Sequence, residues 1–497
     1  MSKSIETHLR FRQVISPATP PGMTQVVSVR NLPSVLGGNV SVADGNRFST
    51  WAAEPKEVLQ FWGGDKDPFV KLQQVLDKYR LDNAHETELP KGLFRCGWMG
   101  YFGYELNGYI EKLPQRAACD INIPLIHLCF YDRAICYDHL EGKWWLVSLG
   151  IAGDGESAEA KLDSVEHLLR QAEKTQVILP QAGGFYNESP DLSDFSCNIS
   201  REYYFKAIER IQRYIYEGDV YQINFSQRFE AAYNTCPIYL YHWQNHYNPS
   251  PYAAFIGSDD FSIVSASPEM FITVREGFIS TKPIKGTRRR ITGAQGAERI
   301  NEVNFADLVQ SDKEQAELNM IVDLERNDIA RICKPGSRNV IQPRTIEAYP
   351  TVFHAVATVR GELRDDVGFC DILKGVFPGG SITGAPKIRA MEIIDELEPT
   401  QRSVYTGSIG YIGLDGSVCL NIAIRTIIIT SGRAFAQTGG GIVADSDPQA
   451  EWDETITKAM ALLAGINSVQ RTACSRQRAA DSVQRIADSV QRVKGSG

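Results

Sequence analysis

The chain has 497 residues, 43% of them hydrophobic and 23% charged, with a net charge of −8. That composition reads as a soluble globular protein of two or three domains, or one large two-lobed unit, and argues against nucleic acid as the main partner. No apolar run reaches the length of a membrane span, residues 1–13 lack the apolar core of a secretory leader, and the ten cysteines contain no C-x-x-C pair, so a cytoplasmic protein with reduced thiols is expected.

Along the first 195 residues, short strand-like runs alternate with turns. Gly97-Trp98-Met99-Gly100-Tyr101-Phe102-Gly103-Tyr104 combines glycine with aromatics, as a tightly packed strand does. Residues 121–137 and 143–149 read as further strands, and 156–176 as a charged helix. A polar connector over 179–196 separates an N-terminal lobe, 1–195, from a second region, 196–467. Ser200-Arg201-Glu202-Tyr203 is a capped helix start, and that helix runs to Glu217-Gly218. Over 220–229 the pattern alternates, with Tyr221, Ile223, Phe225 and Phe229 on one face and Gln222, Asn224, Ser226 and Arg228 on the other. Residues 312–327 are helical in pattern. Residues 420–430 read as one β-branched strand with Asn421 and Arg425 on the same face, and 452–466 as a closing amphipathic helix. In the tail, 468–497, Ser-Val-Gln-Arg recurs from Ser468, Ser482 and Ser489. The unit is polar, basic and too short for a solenoid repeat, so the tail is expected to be a helical or disordered appendage without chemistry.

Five features carry chemistry. Lys285 follows a strand-like run, with Pro283 two residues before it and Gly286 directly after, and this punctuation predicts a turn. An amine held there is a nucleophile if its surroundings lower its pKa. Two glutamate pairs, Glu314 with Glu317 and Glu451 with Glu454, share one spacing, which on a helix places both carboxylates on one face. Either pair alone is the common pattern of a solvated helix face. Meeting in one pocket, the four would repel unless a cation such as Mg²⁺ lay between them, held partly through water. A glycine-rich turn, Phe377-Pro378-Gly379-Gly380-Ser381-Ile382-Thr383-Gly384-Ala385-Pro386-Lys387, leads into a helix with Pro386 as its first residue. It lacks the spacing of a phosphate-binding Walker loop. Gly439-Gly440-Gly441 is a second glycine turn ending a strand, and Arg425 offers a fork for a carboxylate. Together these describe a Mg²⁺-assisted pocket for a small polycarboxylate.

In order along the chain, Gly218-Asp219-Val220-Tyr221-Gln222-Ile223-Asn224, Ser265-Ala266-Ser267-Pro268-Glu269, Pro283-Ile284-Lys285-Gly286-Thr287, Arg326-Asn327-Asp328, the 378–387 turn and Gly439-Gly440-Gly441-Ile442-Val443-Ala444-Asp445-Ser446 resemble the chorismate-utilising enzymes. The resemblance is dense from about residue 198 to 467 and weaker from about 25 to 150. It implies an α+β fold, with two antiparallel sheets packed as a sandwich and helices outside. It implies chorismate contacts at His354, Ser381, Tyr405 and Arg425, backbone contacts at Gly439 to Gly441, and Mg²⁺ at Glu314, Glu317, Glu451 and Glu454. By itself, His354 in an apolar strand would be ordinary core, as would Tyr405.

Lys285 separates subfamilies within this resemblance. Anthranilate synthases usually carry alanine there. The lysine form is similar to aminodeoxychorismate synthases, in which the amine adds to ring carbon C2 and Glu269 serves as acid for the departing 4-hydroxyl. Isochorismate and salicylate synthases have a lysine base at the position of Gln222; glutamine removes no proton, so ammonia rather than water is expected to enter. The G-x-C-x-G elbow of a glutaminase is absent, and Cys96 does not fit it, so a separate glutamine amidotransferase subunit is expected to supply ammonia. Val35-Leu36-Gly37-Gly38 lacks the polar groups with which anthranilate synthases hold feedback tryptophan.

Overall fold

The computed structural model describes residues 4–38, 47–82, 89–177, 191–291, 296–349 and 352–494, with side chains described as far as Thr472. Most of the 179–196 connector therefore lies outside the described residues. Two large sheets dominate, with thirteen and ten strands among the described residues. Pairing is antiparallel throughout both, except where Ile5–Val14 runs parallel to Tyr79–Leu81. Both sheets draw strands from either side of residue 195. In the larger, Ser34–Leu36 pairs with Tyr252–Gly257; in the smaller, Gly97–Phe102 pairs with Ser408–Gly413.

The layering follows from a period of two along strands covered on both faces. In Lys143–Ile151, Trp145, Val147 and Leu149 enter the core between the sheets, where they meet Trp98, Leu128 and Phe130 of the smaller sheet. Trp144 and Leu146 point the other way, into a core roofed by the helices Pro20–Ser28, Ala158–Glu173 and Pro237–Tyr247. Full burial of each such side chain stabilises the fold by about 1.5–3 kcal/mol. The expected sandwich with outer helices is thus the observed one.

Several runs expected to be continuous are divided, for one shared reason. The chain crosses between sheets within them. Residues 121–137 contain Ile126–Tyr131 in the smaller sheet and Arg133–Asp138 in the larger, joined at Asp132. Residues 420–430 contain the end of Val418–Asn421 in the smaller sheet and Thr426–Thr430 in the larger. Arg425 stands at that crossover with φ of 49°, so Asn421 and Arg425 do not share a strand face. Asn421 instead bridges the layers: its amide accepts from Ile409 N at 2.9 Å and donates to Tyr252 O at 2.9 Å.

The helices that bear the paired glutamates run further than their patterns predict. Asp312–Ala330 starts at Ser311, whose hydroxyl accepts from Glu314 N. Pro448–Lys494 continues without a break through the repeated tail, which carries no proline and no glycine before Gly495. Among the described residues no helix is long and apolar enough to cross a membrane.

Replacing Asn421 by Ala leaves the Ile409 N–H buried without its acceptor. The expected loss is about 2 kcal/mol, read as a lower urea midpoint with an unchanged slope.

Candidate active site

Lys285 is not in a turn. It lies in Ile284–Arg289, at the edge of the smaller sheet, where two residues, Lys285 and Gly286, oppose a single partner between Val356 and His354. Pro283 and Gly286 have punctuated a bulge, a device that re-aims a side chain. Gly286 has φ of 94°, which favours glycine, and a methyl group there would lie 2.8 Å from Glu314 Oε2, so it faces the Glu314 side chain.

The three glycines also sit in a strand rather than a turn. Gly439, Gly440 and Gly441 pair with Ser226, Phe225 and Asn224 across Arg433–Ile442 and Gln222–Ala232. A methyl group on Gly441 would stand 2.6 Å from Gln222 Nε2 and 3.4 Å from Lys285 Nζ. Bare backbone therefore floors a space that Gln222 and Lys285 share. Gly440 similarly faces Glu451, whose Oε2 would be 3.0 Å from an added methyl. Both amide atoms of Gln222 are buried and unpartnered, as is Ser381 Oγ. Such orphaned polar atoms are costly unless a ligand completes them.

The charges are arranged around the amine. Burial lowers the Lys285 pKa, and Lys458 adds to that, while Glu317, Glu269 and Glu454 pull it back up. Burial raises Glu269, opposed by Ser381 and Lys285. The Ser381 hydroxyl is close enough to Glu269 to exert this effect, although no aligned hydrogen bond forms. A carboxyl group raised by burial thus stands in the field of an amine lowered by it. His354 Nδ1 lies 2.8 Å from Thr287 Oγ1, and burial, with Arg425 nearby, lowers its pKa to about 3. His354 is therefore neutral at physiological pH. Burial depresses Arg425, whose guanidinium carries a planar fork of donors.

The two glutamate pairs reach this space from separate helices, Glu317 and Glu454 both facing Lys285. They are not assembled as a ligand cage: among the described residues no three metal-ligating side chains converge. Arg288 holds Glu314 Oε1 at 2.7 Å, Lys458 holds Glu454 at 2.7 Å, and Ser446 donates to Glu451 Oε1 at 2.7 Å. One oxygen, Glu314 Oε2, remains buried without a partner. Hard carboxylate donors and this orphaned oxygen fit a cation such as Mg²⁺ that keeps part of its water shell.

Further charged groups shape the site. Lys458, one turn after Glu454, donates to Gly439 O at 2.9 Å and ties the helix to the glycine strand; its i,i+4 spacing from a glutamate could have drawn notice. Lys387 ion-pairs with Asp328 and donates to Pro378 O at 2.7 Å, closing the Ser381 loop against the Glu314 helix. Glu325 is buried, accepts from Thr281 Oγ1 at 2.7 Å, and is raised to about 8 by burial, with Glu269 adding to the shift. Leu36 and Gly37 line a different cavity, of about 270 Å³, together with Tyr252, Arg275 and Tyr411.

A fold of two interleaved antiparallel sheets, with an amine, an acid and paired carboxylates facing a glycine floor, defines a class of enzyme rather than a binding module. The family model for chorismate binding enzymes matches residues 40–464, and the chain belongs to that family. It is 39% identical over 440 residues to aminodeoxychorismate synthase component 1 of Bacillus subtilis (strain 168), covering 87% of this chain and 90% of that one. It is 37% identical over 410 residues to anthranilate synthase component 1 of Aquifex aeolicus (strain VF5), covering 82% and 81%. Among solved structures, anthranilate synthase component I from Streptococcus pneumoniae TIGR4 superposes with a TM-score of 0.71 at 33% identity, covering 85% of this chain and 94% of that one. The menaquinone-specific isochorismate synthase of Escherichia coli shares the fold at 15% identity, with a TM-score of 0.67 over 94% and 96% of the chains.

Glu325 gives a stability test with a definite sign. Its folded pKa is raised from 4.5 to about 8, so the native state holds a proton that the unfolded chain has released. Its relative stabilisation is full below the unfolded value and is lost as pH rises through that window. Glu325→Gln should melt above wild type at pH 8, with the gap closing toward pH 5.

Proposed function

We propose that this chorismate-utilising enzyme is the aminating component of an aminodeoxychorismate synthase, converting chorismate and ammonia to 4-amino-4-deoxychorismate for p-aminobenzoate and folate synthesis. Neutral Lys285 adds through Nζ to ring carbon C2. The ring double bonds shift toward C4, and the 4-hydroxyl leaves as water with the proton of Glu269. Ammonia then adds at C4, the double bonds shift back, and the C2–N bond breaks to release Lys285. The net change is chorismate plus ammonia to amino product plus water. Gln222 cannot generate hydroxide, which leaves the entering position to ammonia. Arg425 offers its fork to a substrate carboxylate, His354, Ser381 and Tyr405 border the ring, and Gly439 to Gly441 supply backbone. Mg²⁺, when bound by Glu314, Glu317, Glu451 and Glu454, supplies positive charge for a substrate carboxylate. A separate glutamine amidotransferase delivers the ammonia, in the cytoplasm.

The observation that carries this reading is Lys285 itself, an amine lowered by burial and set across Gly441 from Gln222. Anthranilate synthase component I is the second reading, because relatives of that name match at comparable identity.

Incubation of the purified chain with chorismate, Mg²⁺ and an ammonium salt should yield the 4-amino product without pyruvate, as read by chromatography. Anthranilate with pyruvate would instead establish the second reading. Lys285→Ala should lose the 4-amino product by about a hundredfold or more, the scale on which a single positioned chemical group acts.

A further inference from the structure

Arg402 lies outside every motif discussed so far, and it is among the most buried charges of the described residues. Its side chain is 1% exposed and that of its partner Glu398 is 3% exposed. A buried ion pair is weak grounds for a stability role, since apolar residues of similar size often do as well. What this pair connects is more informative.

The guanidinium has five N–H donors in a rigid fork. Nε and one Nη2 donor go to Glu398, at 2.8 and 2.7 Å. Nη1 donates to Ile382 O at 3.0 Å and to Thr406 Oγ1 at 3.3 Å. The remaining Nη2 donor reaches Asn224 O at 2.7 Å. Glu398 is satisfied in turn, accepting from Ser226 N at 2.9 Å and Ser226 Oγ at 2.7 Å. From the N-terminal lobe, Glu105 accepts from the backbone N–H groups of Arg402 and Ser403, at 2.7 and 3.0 Å. Tyr104 and Tyr405 both lie under the guanidinium, at 4.8 and 5.8 Å.

Asn224, Ile382 and the nearby Thr406 are therefore pinned to one planar group. Ile382 adjoins Ser381, Asn224 is two residues from Gln222, and Thr406 adjoins Tyr405. Beside these hydrogen-bonded positions, the side chains of Gln222 and Ser381 are buried and unpartnered. One rigid, satisfied cation thus holds the unsatisfied groups that border the substrate space.

We infer that Arg402 is a positioning residue for chorismate, fixing Gln222, Ser381 and Tyr405 relative to one another through a guanidinium fork buried against Glu398. The inference rests on the proposed chorismate site. Lysine would keep the charge opposite Glu398 but could not span all three segments, because its ammonium is a single point with three donors.

The test compares Arg402→Lys with Lys161→Met. Lys161 is an equally buried cation, 0% exposed and paired with Asp132 at 2.8 Å and Asp154 at 2.7 Å, on the helix Ala158–Glu173 of the N-terminal lobe. Both variants are expected to melt below wild type. Arg402→Lys should raise the chorismate Kd and KM by about tenfold, the effect of one lost hydrogen bond to a charged group, with KM for ammonium unchanged. Lys161→Met should leave both chorismate constants unchanged. If Arg402→Lys does not fold, Arg402→Ala assayed with added guanidinium replaces it, and partial recovery of chorismate affinity is expected that an alkylammonium salt does not give. Unchanged chorismate constants in Arg402→Lys, an equal change in Lys161→Met, or no recovery by guanidinium would overturn the role. Failure of wild type to bind chorismate would overturn the site assignment instead, so the two failures are told apart.

Discussion

The candidate site is organised around one amine set among carboxylates. In open solvent, Glu317, Glu269 and Glu454 would hold Lys285 as an ammonium, which has no lone pair to attack with. Inside the protein, removal from water outweighs their attraction, and Lys458 pushes the same way, so the amine is lowered. The same burial raises Glu269. Amine and acid are thus shifted in opposite directions by one cause, as the proposed displacement asks of its nucleophile and its acid.

The fold supplies this environment by crossing between its sheets. A bulge at Lys285 and Gly286 aims the amine inward from an edge strand. The crossover at Arg425 brings a guanidinium to the same region. Two helices with separate cores deliver the acidic pairs, and the strand carrying Gly439 to Gly441 is stripped of side chains so that Gln222 and Lys285 can share a space. Arg402 ties the strand carrying Asn224 to the Ile382 turn and to Thr406, beside Tyr405.

Much of the site was legible because its signals are local. E-x-x-E on a helix fixes two carboxylates to one face, and Pro283 with Gly286 announced an interruption at Lys285. What the interruption would be was not legible: a turn and a bulge use the same residues, and only the register against Val352–Glu362 decides between them. The sheet crossovers were also hidden. Seven of the eleven residues 420–430 are β-branched, and nothing in the side chains marks the positive φ at Arg425. Glycines 439 to 441 read as a turn, yet pairing with Gln222–Ala232 keeps them extended. Arg402 and Glu398 were passed over because charged residues are ordinarily solvated, and their burial depends on segments nearly two hundred residues apart.

The most direct measurement is the mass of the intact protein after exposure to chorismate and Mg²⁺ without ammonia, followed by peptide mapping. A gain equal to chorismate less one water, located on the peptide containing Lys285 and cleared by adding ammonium, is the expected result. Steady formation of the 4-amino product by a chain that never carries such an adduct would contradict covalent attack by Lys285.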